Sequence, residues 1–267
     1  MNIYLHELRS LRKSVLIWTL VLIGLAALYL SIYPSIVHDA DGYRKLLATY
    51  PPAVRAALGI NLNTILSING YYGMIFSFVT LCGTIQAMNL GLSVLSRESR
   101  ERTADFLLVK PVARRSIVSA KWLAGLTALL VTDLVYYGVL LLLVDWVKKS
   151  NYDGEIFLLI NLTLLFLQMI FFALGLLISV FFNKLKSVLP LSLGTVIGWY
   201  MIGALLASGK ESDTVRYFSP FNFFPPSEII QHAGYQGHYL TLTLCFVVLA
   251  LAISYLVYSK KDIHSVS

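Results

Sequence analysis

The longest charge-dense segment of the chain runs from residue 96 to residue 121 and reads SRESRERTADFLLVKPVARRSIVSAK. It carries seven basic and three acidic side chains, in a chain of which only 13% of the residues are charged. Apolar runs long enough to cross a bilayer precede and follow it, and a charge in the hydrocarbon centre costs about 2.5–3.5 kcal/mol on insertion scales. We therefore expect this stretch at a membrane surface, between two spans.

The charges of the stretch predict a short surface helix. Two acid–base pairs have the i,i+4 spacing that suits one exposed helical face, namely Arg97 with Glu101 and Glu98 with Arg102. Pro111 disfavours helical geometry at the residue before it, so the helix is expected to stop there and a new one to begin at Arg114. A positively charged loop that only fixes the topology is the alternative.

The same stretch resembles the cytoplasmic loop of type-2 ATP-binding cassette (ABC) exporter permeases. That family has a Glu-rich lead, then Gly-Thr, a Leu-Leu pair, Pro-x-x-Arg and a following Lys. The matching positions are Glu98, Glu101, Thr103, Leu107, Leu108, Pro111, Arg114 and Lys121. Arg102 stands where the family usually has Gly, which leaves the local turn open. Outside this stretch the resemblance extends only to the number and order of spans.

The resemblance implies a coupling segment, residues 96–115, that contacts a cytoplasmic ABC ATPase subunit. Two copies of that subunit are expected, and they would bind the ATP and Mg²⁺. The implied contact residues are Arg97, Glu98, Arg100, Glu101, Arg102, Thr103, Phe106 and Leu107. A second permease copy, as a homodimer or a close heterodimer, is also expected, because six spans enclose little space alone. Gly194 and Gly198 permit close helix approach, which makes the fifth span the candidate dimer contact.

Composition and length predict a single all-α membrane domain, 1–267. The chain is 57% hydrophobic, too apolar for a soluble domain, and six runs reach the length of about 20 residues that a membrane helix needs. The predicted spans are 15–33, 71–95, 117–146, 156–182, 188–207 and 239–258. Residues 1–14 predict an amphipathic interfacial helix. A cleaved signal peptide is disfavoured, because the apolar run that follows is long enough to span and has no small-residue cleavage site.

The Lys and Arg residues predict the orientation. With both termini inside, the cytoplasmic side holds 14 of them and the outside holds 7. The positive-inside rule therefore predicts a multi-pass protein of the cell membrane with both termini in the cytoplasm. This asymmetry, together with anionic membrane lipid, accounts for the net charge of +7. Nucleic-acid binding is not expected.

Two external loops are predicted. The first, 34–70, is expected to form short amphipathic helices on the outer leaflet, broken at Pro51 and Pro52. The second, before the last span, is rich in Phe, Tyr and Pro, which is typical of a re-entrant or interfacial hairpin. In the resembled family, re-entrant helices here close the outer end of the pathway, and a plain aromatic belt is the alternative. The candidate external gate consists of Phe221, Phe223, Phe224 and Glu228.

Asp133 is an ionisable residue well inside the third predicted span. Intramembrane acids are candidates for function, here as a proton relay or a polar anchor. The alternative is that Asp133 lies near the outer interface. Gln86 and Gln168 are expected to form hydrogen bonds between helices.

The motifs of nucleotide-binding and hydrolytic enzymes are missing from the sequence. There is no GxxxxGK[ST], no HExxH and no GxSxG. Cys82 and Cys245 lack the spacing of a metal site. We therefore expect a non-catalytic permease, without a metal or cofactor of its own, that exports an amphipathic peptide, drug or lipid. A proton-coupled secondary carrier that uses Asp133 and a non-transporting membrane anchor or sensor are the alternatives.

Overall fold

The computed structural model describes residues 3–101, 114–148, 152–182, 187–207 and 216–260, and within these ranges there are helices and no β-strand. The helices are α1 (Ile3–His38), α2 (Ala40–Ala48), α3 (Pro52–Ala57), α4 (Ile68–Glu101), α5 (Arg114–Val147), α6 (Gly154–Phe181), α7 (Leu189–Ala207), α8 (Pro226–His232) and α9 (Gly237–Lys260). A 3-10 turn covers Pro220–Asn222.

Six of these helices are long and apolar enough to cross a membrane, namely α1, α4, α5, α6, α7 and α9. Each of the six predicted spans overlaps one of them. The expectation of an all-α protein with six membrane helices is therefore confirmed.

Two helix junctions differ from those expected, and α1 also runs through Pro34 to His38 instead of ending at residue 33. Residues 3–14 are helical, but they continue without a break into the first span, so that α1 has 36 residues. Likewise residues 96–101 extend the helix of the second span and do not start a separate helix. Neither junction contains a Gly or Pro that would end a helix. A change from apolar to charged residues moves a helix out of the bilayer without interrupting its hydrogen bonds.

The helices pack around a central pair, α4 and α6, while α1 pairs with α5, α7 lies against α4 and α9 lies against α6. Gly91 of α4 and Gly175 of α6 make the central contact close. A Cβ atom on Gly91 would lie 2.3 Å from the Phe172 carbonyl oxygen, and one on Gly175 would lie 2.7 Å from that of Met88. Small residues permit such backbone contact between membrane helices.

The bundle has two distinct ends. At the first, which we call the terminal end, an apolar cluster joins Leu11 near the start of α1, Val94 near the end of α4 and Tyr258 near the end of α9. At the opposite end, called the hairpin end, α2, α3 and α8 cover a second cluster. Between them, Tyr72 of α4 donates a hydrogen bond to Asn161 Oδ1 of α6 at 2.7 Å. The Tyr72 hydroxyl also lies 2.9 Å from that of Tyr136 of α5.

The segment between α1 and α4 forms the short helices expected for 34–70. Asp39 caps α2 by accepting a hydrogen bond from the Gly42 amide at 3.2 Å. The Tyr33 hydroxyl donates to the Leu66 carbonyl at 2.9 Å and ties the segment to α1. α3 packs on α7, so the segment bridges two spans at the hairpin end.

Candidate functional site

The predicted ATPase-contact residues lie at and beyond the C-terminal end of α4. The backbone of α4 includes Arg97, Glu98, Arg100 and Glu101. Arg102, Thr103, Phe106 and Leu107 lie outside the described residues. The contact with the ATPase subunit therefore stays a prediction. The residues that flank the coupling segment at the terminal end are described instead.

Lys121 connects three helices at the terminal end. It lies two turns into α5, and only 1% of its surface is exposed. Its Nζ donates a hydrogen bond to the Val94 carbonyl of α4 at 2.7 Å and lies 3.4 Å from Glu7 Oε1 of α1. A buried ammonium group is stable only if it is paired and hydrogen-bonded, and both conditions are met here. We call Glu7, Val94 and Lys121 the terminal junction.

A second contact supports the terminal junction. The hydroxyls of Tyr4 in α1 and Thr127 in α5 are 3.0 Å apart. The family pattern includes Lys121, but nothing in the sequence points to Glu7 as its partner. The two residues lie on different helices, so their spacing in the sequence does not predict a contact. One signal was available. A lysine directly before a long apolar run is expected to be buried, and a buried lysine needs an acid nearby.

At the hairpin end, Glu228 forms a two-armed ion pair with Arg216. Arg216 Nη1 lies 2.5 Å from Oε1 and Nη2 lies 3.0 Å from Oε2. Gln236 Nε2 also donates to Glu228 Oε2, at 2.8 Å, and the guanidinium lies 5.0 Å from the centre of the Tyr239 ring. Glu228 therefore ties together the two ends of residues 216–236, which we call the hairpin segment.

The three candidate gate phenylalanines pack into the bundle. Phe223 stacks on Tyr239 with ring centres 5.3 Å apart, and Phe224 lies 5.5 Å from Phe166. Phe221 lies 5.3 Å from Phe171, which is about 26 Å along α6 from its start at 1.5 Å per residue. The hairpin segment thus folds back along the spans.

Two side chains of the hairpin segment hold it to α7. Ser219 Oγ donates to the Trp199 carbonyl at 3.0 Å, and Asn222 Nδ2 donates to the Gly203 carbonyl at 3.0 Å. A cavity of about 90 Å³ remains beneath the segment, between α4, α6 and α7. Its lining combines aromatic rings with hydroxyl groups and includes Phe76, Ser77, Thr80, Thr163, Tyr200 and Phe221.

Asp133 lies in the interior of the bundle, about 21 Å along α5 from its C-terminal end. The expectation of bonds between helices is met by Gln86 of α4, whose Nε2 donates to Thr132 Oγ1 at 2.9 Å. Gln168 of α6 is fully buried and lies beside Asp133. Neither the Asp133 carboxylate nor the Gln168 amide has a hydrogen bond of ordinary distance and angle.

Comparison with known proteins identifies one family. Residues 1–263 match the family model described as ABC-2 family transporter protein, and no curated protein sequence matches significantly. The match extends over all six spans and includes the terminal junction and the hairpin segment. The chain therefore belongs to the ABC-2 family of transporter proteins and is a membrane-spanning permease subunit of an ABC transporter.

Proposed function

We propose that this permease exports its substrate, driven by ATP that two copies of a cytoplasmic ABC ATPase subunit bind with Mg²⁺ and hydrolyse. Residues 96–115 would form the contact with that subunit. The observation that carries the proposal is the terminal junction, because it lies next to both ends of the coupling segment. Val94 precedes the segment on α4, and Lys121 follows it on α5.

The terminal junction suggests how work would pass into the bundle. A push on the coupling segment acts on the end of α4 and on the start of α5. Because Lys121 joins both helices to Glu7 of α1, the three helices would move together as one rigid group. The central α4–α6 contact would carry the movement toward the hairpin end.

The hairpin segment would act as the external gate in this scheme. Phe221, Phe223 and Phe224 close the space between α6, α7 and α9, while the Glu228–Arg216 pair keeps the segment folded. The cavity beneath combines aromatic and hydroxyl groups. Such a lining suits an amphipathic substrate, and we propose a peptide, drug or lipid.

Orientation and assembly complete the proposal. The start of α1 and the end of α9 lie at the same end of the bundle, and the excess of Lys and Arg expected there supports a cytoplasmic location of both termini in the cell membrane. The exposed face of α7 would contact a second permease copy, in a homodimer or a close heterodimer. Gly194 and Gly198 have open space around them, and Met201 and Leu205 are exposed nearby.

A transport assay in sealed vesicles tests the proposal. Vesicles that contain the permease and its ATPase subunit should move substrate only when ATP and Mg²⁺ are supplied on the ATPase side. Transport driven by a pH gradient without ATP, and lost in Asp133→Asn, would support a proton-coupled carrier instead. ATPase recruitment without any flux would support a membrane anchor or sensor.

A further inference from the structure

Five buried polar atoms on three spans have no hydrogen bond of ordinary distance and angle among the described residues. They are both carboxylate oxygens of Asp133, both amide atoms of Gln168 and Oε1 of Gln86. Gln86 and Gln168 are fully buried. Buried polar atoms in proteins are nearly always hydrogen-bonded, so a concentrated exception indicates a missing proton, ion or water.

The side chains stand on α4, α5 and α6, and those of Asp133 and Gln168 are neighbours. The Gln168 amide lies beside the Asp133 carboxylate, and its nitrogen is 3.1 Å from where a Cβ atom of Gly83 would stand. Gln86 lies one turn beyond Gly83 and binds Thr132, the neighbour of Asp133 in the sequence. The absence of a side chain at Gly83 leaves the room that the Gln168 amide occupies.

An ionised carboxylate does not satisfy this arrangement. Its two oxygens only accept hydrogen bonds, so it would match the NH₂ group of Gln168 and leave the amide oxygen facing an anion. A neutral carboxylic acid has one donor and one acceptor, which are complementary to the acceptor and donor of a carboxamide. Two parallel hydrogen bonds would then satisfy four of the five atoms.

The surrounding charges agree with a neutral acid. Two shielded cations of the described residues are paired elsewhere, Lys121 with Glu7 and Arg216 with Glu228. The titratable side chain near Asp133 on α5 is Tyr136, whose hydroxyl lies 2.9 Å from that of Tyr72 on α4. Neither tyrosine supplies a positive charge. From α6 the neighbour is the uncharged Gln168.

We propose that Asp133 is a buried proton-binding site, a neutral acid whose hydroxyl is donated to Gln168 Oε1 and whose carbonyl accepts from Gln168 Nε2. The pair fixes α5 to α6, and the Gln86–Thr132 bond fixes α5 to α4. Loss of the proton would leave an anion between the three helices and weaken their contact.

Infrared spectroscopy of the purified protein in lipid nanodiscs tests this site at neutral pH. The wild type should show the carbonyl stretching band of a protonated carboxyl, and Asp133→Asn should remove it. Asp145→Asn, which removes an exposed carboxylate on the same helix, should leave the band unchanged. A wild type without the band, or a band that persists in Asp133→Asn, would overturn the proposal. If the variant does not fold, isotope-labelled aspartate in the wild type should shift the band, and a band that does not shift would overturn the proposal.

A thermal unfolding series separates a proton from a metal cation. The melting temperature of the wild type should fall as the pH rises, while Asp133→Asn, which keeps one donor and one acceptor, should lose that slope. Gln168→Leu should lower the melting temperature at neutral pH by several degrees. A wild-type melting temperature that rises with sodium or potassium chloride but not with choline chloride would indicate a bound cation and overturn the proton assignment.

Discussion

The ammonium group of Lys121 lies 3.4 Å from the Glu7 carboxylate, and both side chains are largely shielded from water, at 1% and 15% exposure. The first and third spans are thereby joined by opposite charges at the end of the bundle where the proposed coupling segment begins and ends. The pair keeps its strength in salt better than a surface pair, because buried charges are screened less.

Replacing Lys121 with Met should destabilise the protein by about 3–5 kcal/mol, because it leaves the Glu7 carboxylate buried without its partner. The double variant Glu7→Gln, Lys121→Met should lose less than the sum of the two single variants. Thermal and denaturant unfolding in detergent, analysed as a double-mutant cycle, measures this. Additive losses would show that the two side chains are not coupled.

Reversing Glu98 and Glu101 to Lys should abolish the stimulation of the partner's ATPase activity while the permease stays inserted and folded. The two acids lie at the C-terminal end of α4, where the proposed contact with the ATPase begins. The measurement is ATP hydrolysis by the reconstituted complex, with Asp41→Lys at the hairpin end as the matched reversal. Full stimulation in the double variant would rule out this docking assignment.

Glu228→Gln should loosen the hairpin segment at a cost of about 1–3 kcal/mol, because the Arg216 guanidinium loses its charged acceptor. Hydrogen exchange should become faster in α8 and little changed in α5. Asp145→Asn is the matched control, since its ion pair with Lys148 is exposed, and we expect no measurable change in melting temperature. Equal effects of the two variants would contradict the role given to Glu228.

Gly91→Ala should destabilise the protein by about 1–3 kcal/mol, because a methyl group there needs a shift of the α4 or α6 backbone. A Cβ atom at this position would lie 2.3 Å from the Phe172 carbonyl oxygen. Gly138→Ala on α5, which has nothing within 4 Å, is the control and should be neutral or stabilising. The melting temperatures of the two variants decide between close and loose packing of the central pair.

Tyr235 makes the hairpin segment sensitive to alkaline pH. Its hydroxyl donates a hydrogen bond to the Leu159 carbonyl. Burial raises the pKa of Tyr235 to about 12, while a hydrogen bond with the Thr163 side chain acts in the opposite direction. Because the folded pKa lies above the ordinary value of 10.0, the stabilisation is complete below pH 10 and is lost as the pH rises toward 12. Tyr235→Phe should remove this pH dependence of the melting temperature, and a tyrosinate absorbance titration should assign the pKa.

The sequence predicts the six spans because membrane length and hydropathy leave few choices. It does not predict that residues 3–14 continue into the first span without a break or that α4 continues to Glu101. A run of charged residues moves a helix out of the lipid without ending it, so the change from apolar to charged residues does not tell where the helix ends.

For the candidate sites too, some residues can be recognised in the sequence while their partners cannot. Glu228 is recognisable as a polar residue in an aromatic loop, but its partner Arg216 and the Tyr239 ring beside it depend on how the segment folds back. Lys121 is recognisable from a local pattern, while Glu7 is not, because the contact joins two helices that are far apart in the sequence. Local patterns predict which residues matter, and the packing of the spans decides what they touch.

The unbroken course of α1 has a mechanical consequence. Its 36 residues, with Pro34 near the C-terminal end, correspond to a helical rise of about 54 Å, well beyond the hydrocarbon thickness of about 30 Å. A tilt of only about 5° would displace one tip by about 5 Å relative to the other at that length. A small rotation on one side of the bilayer is therefore magnified into a displacement on the far side that equals one turn of helix.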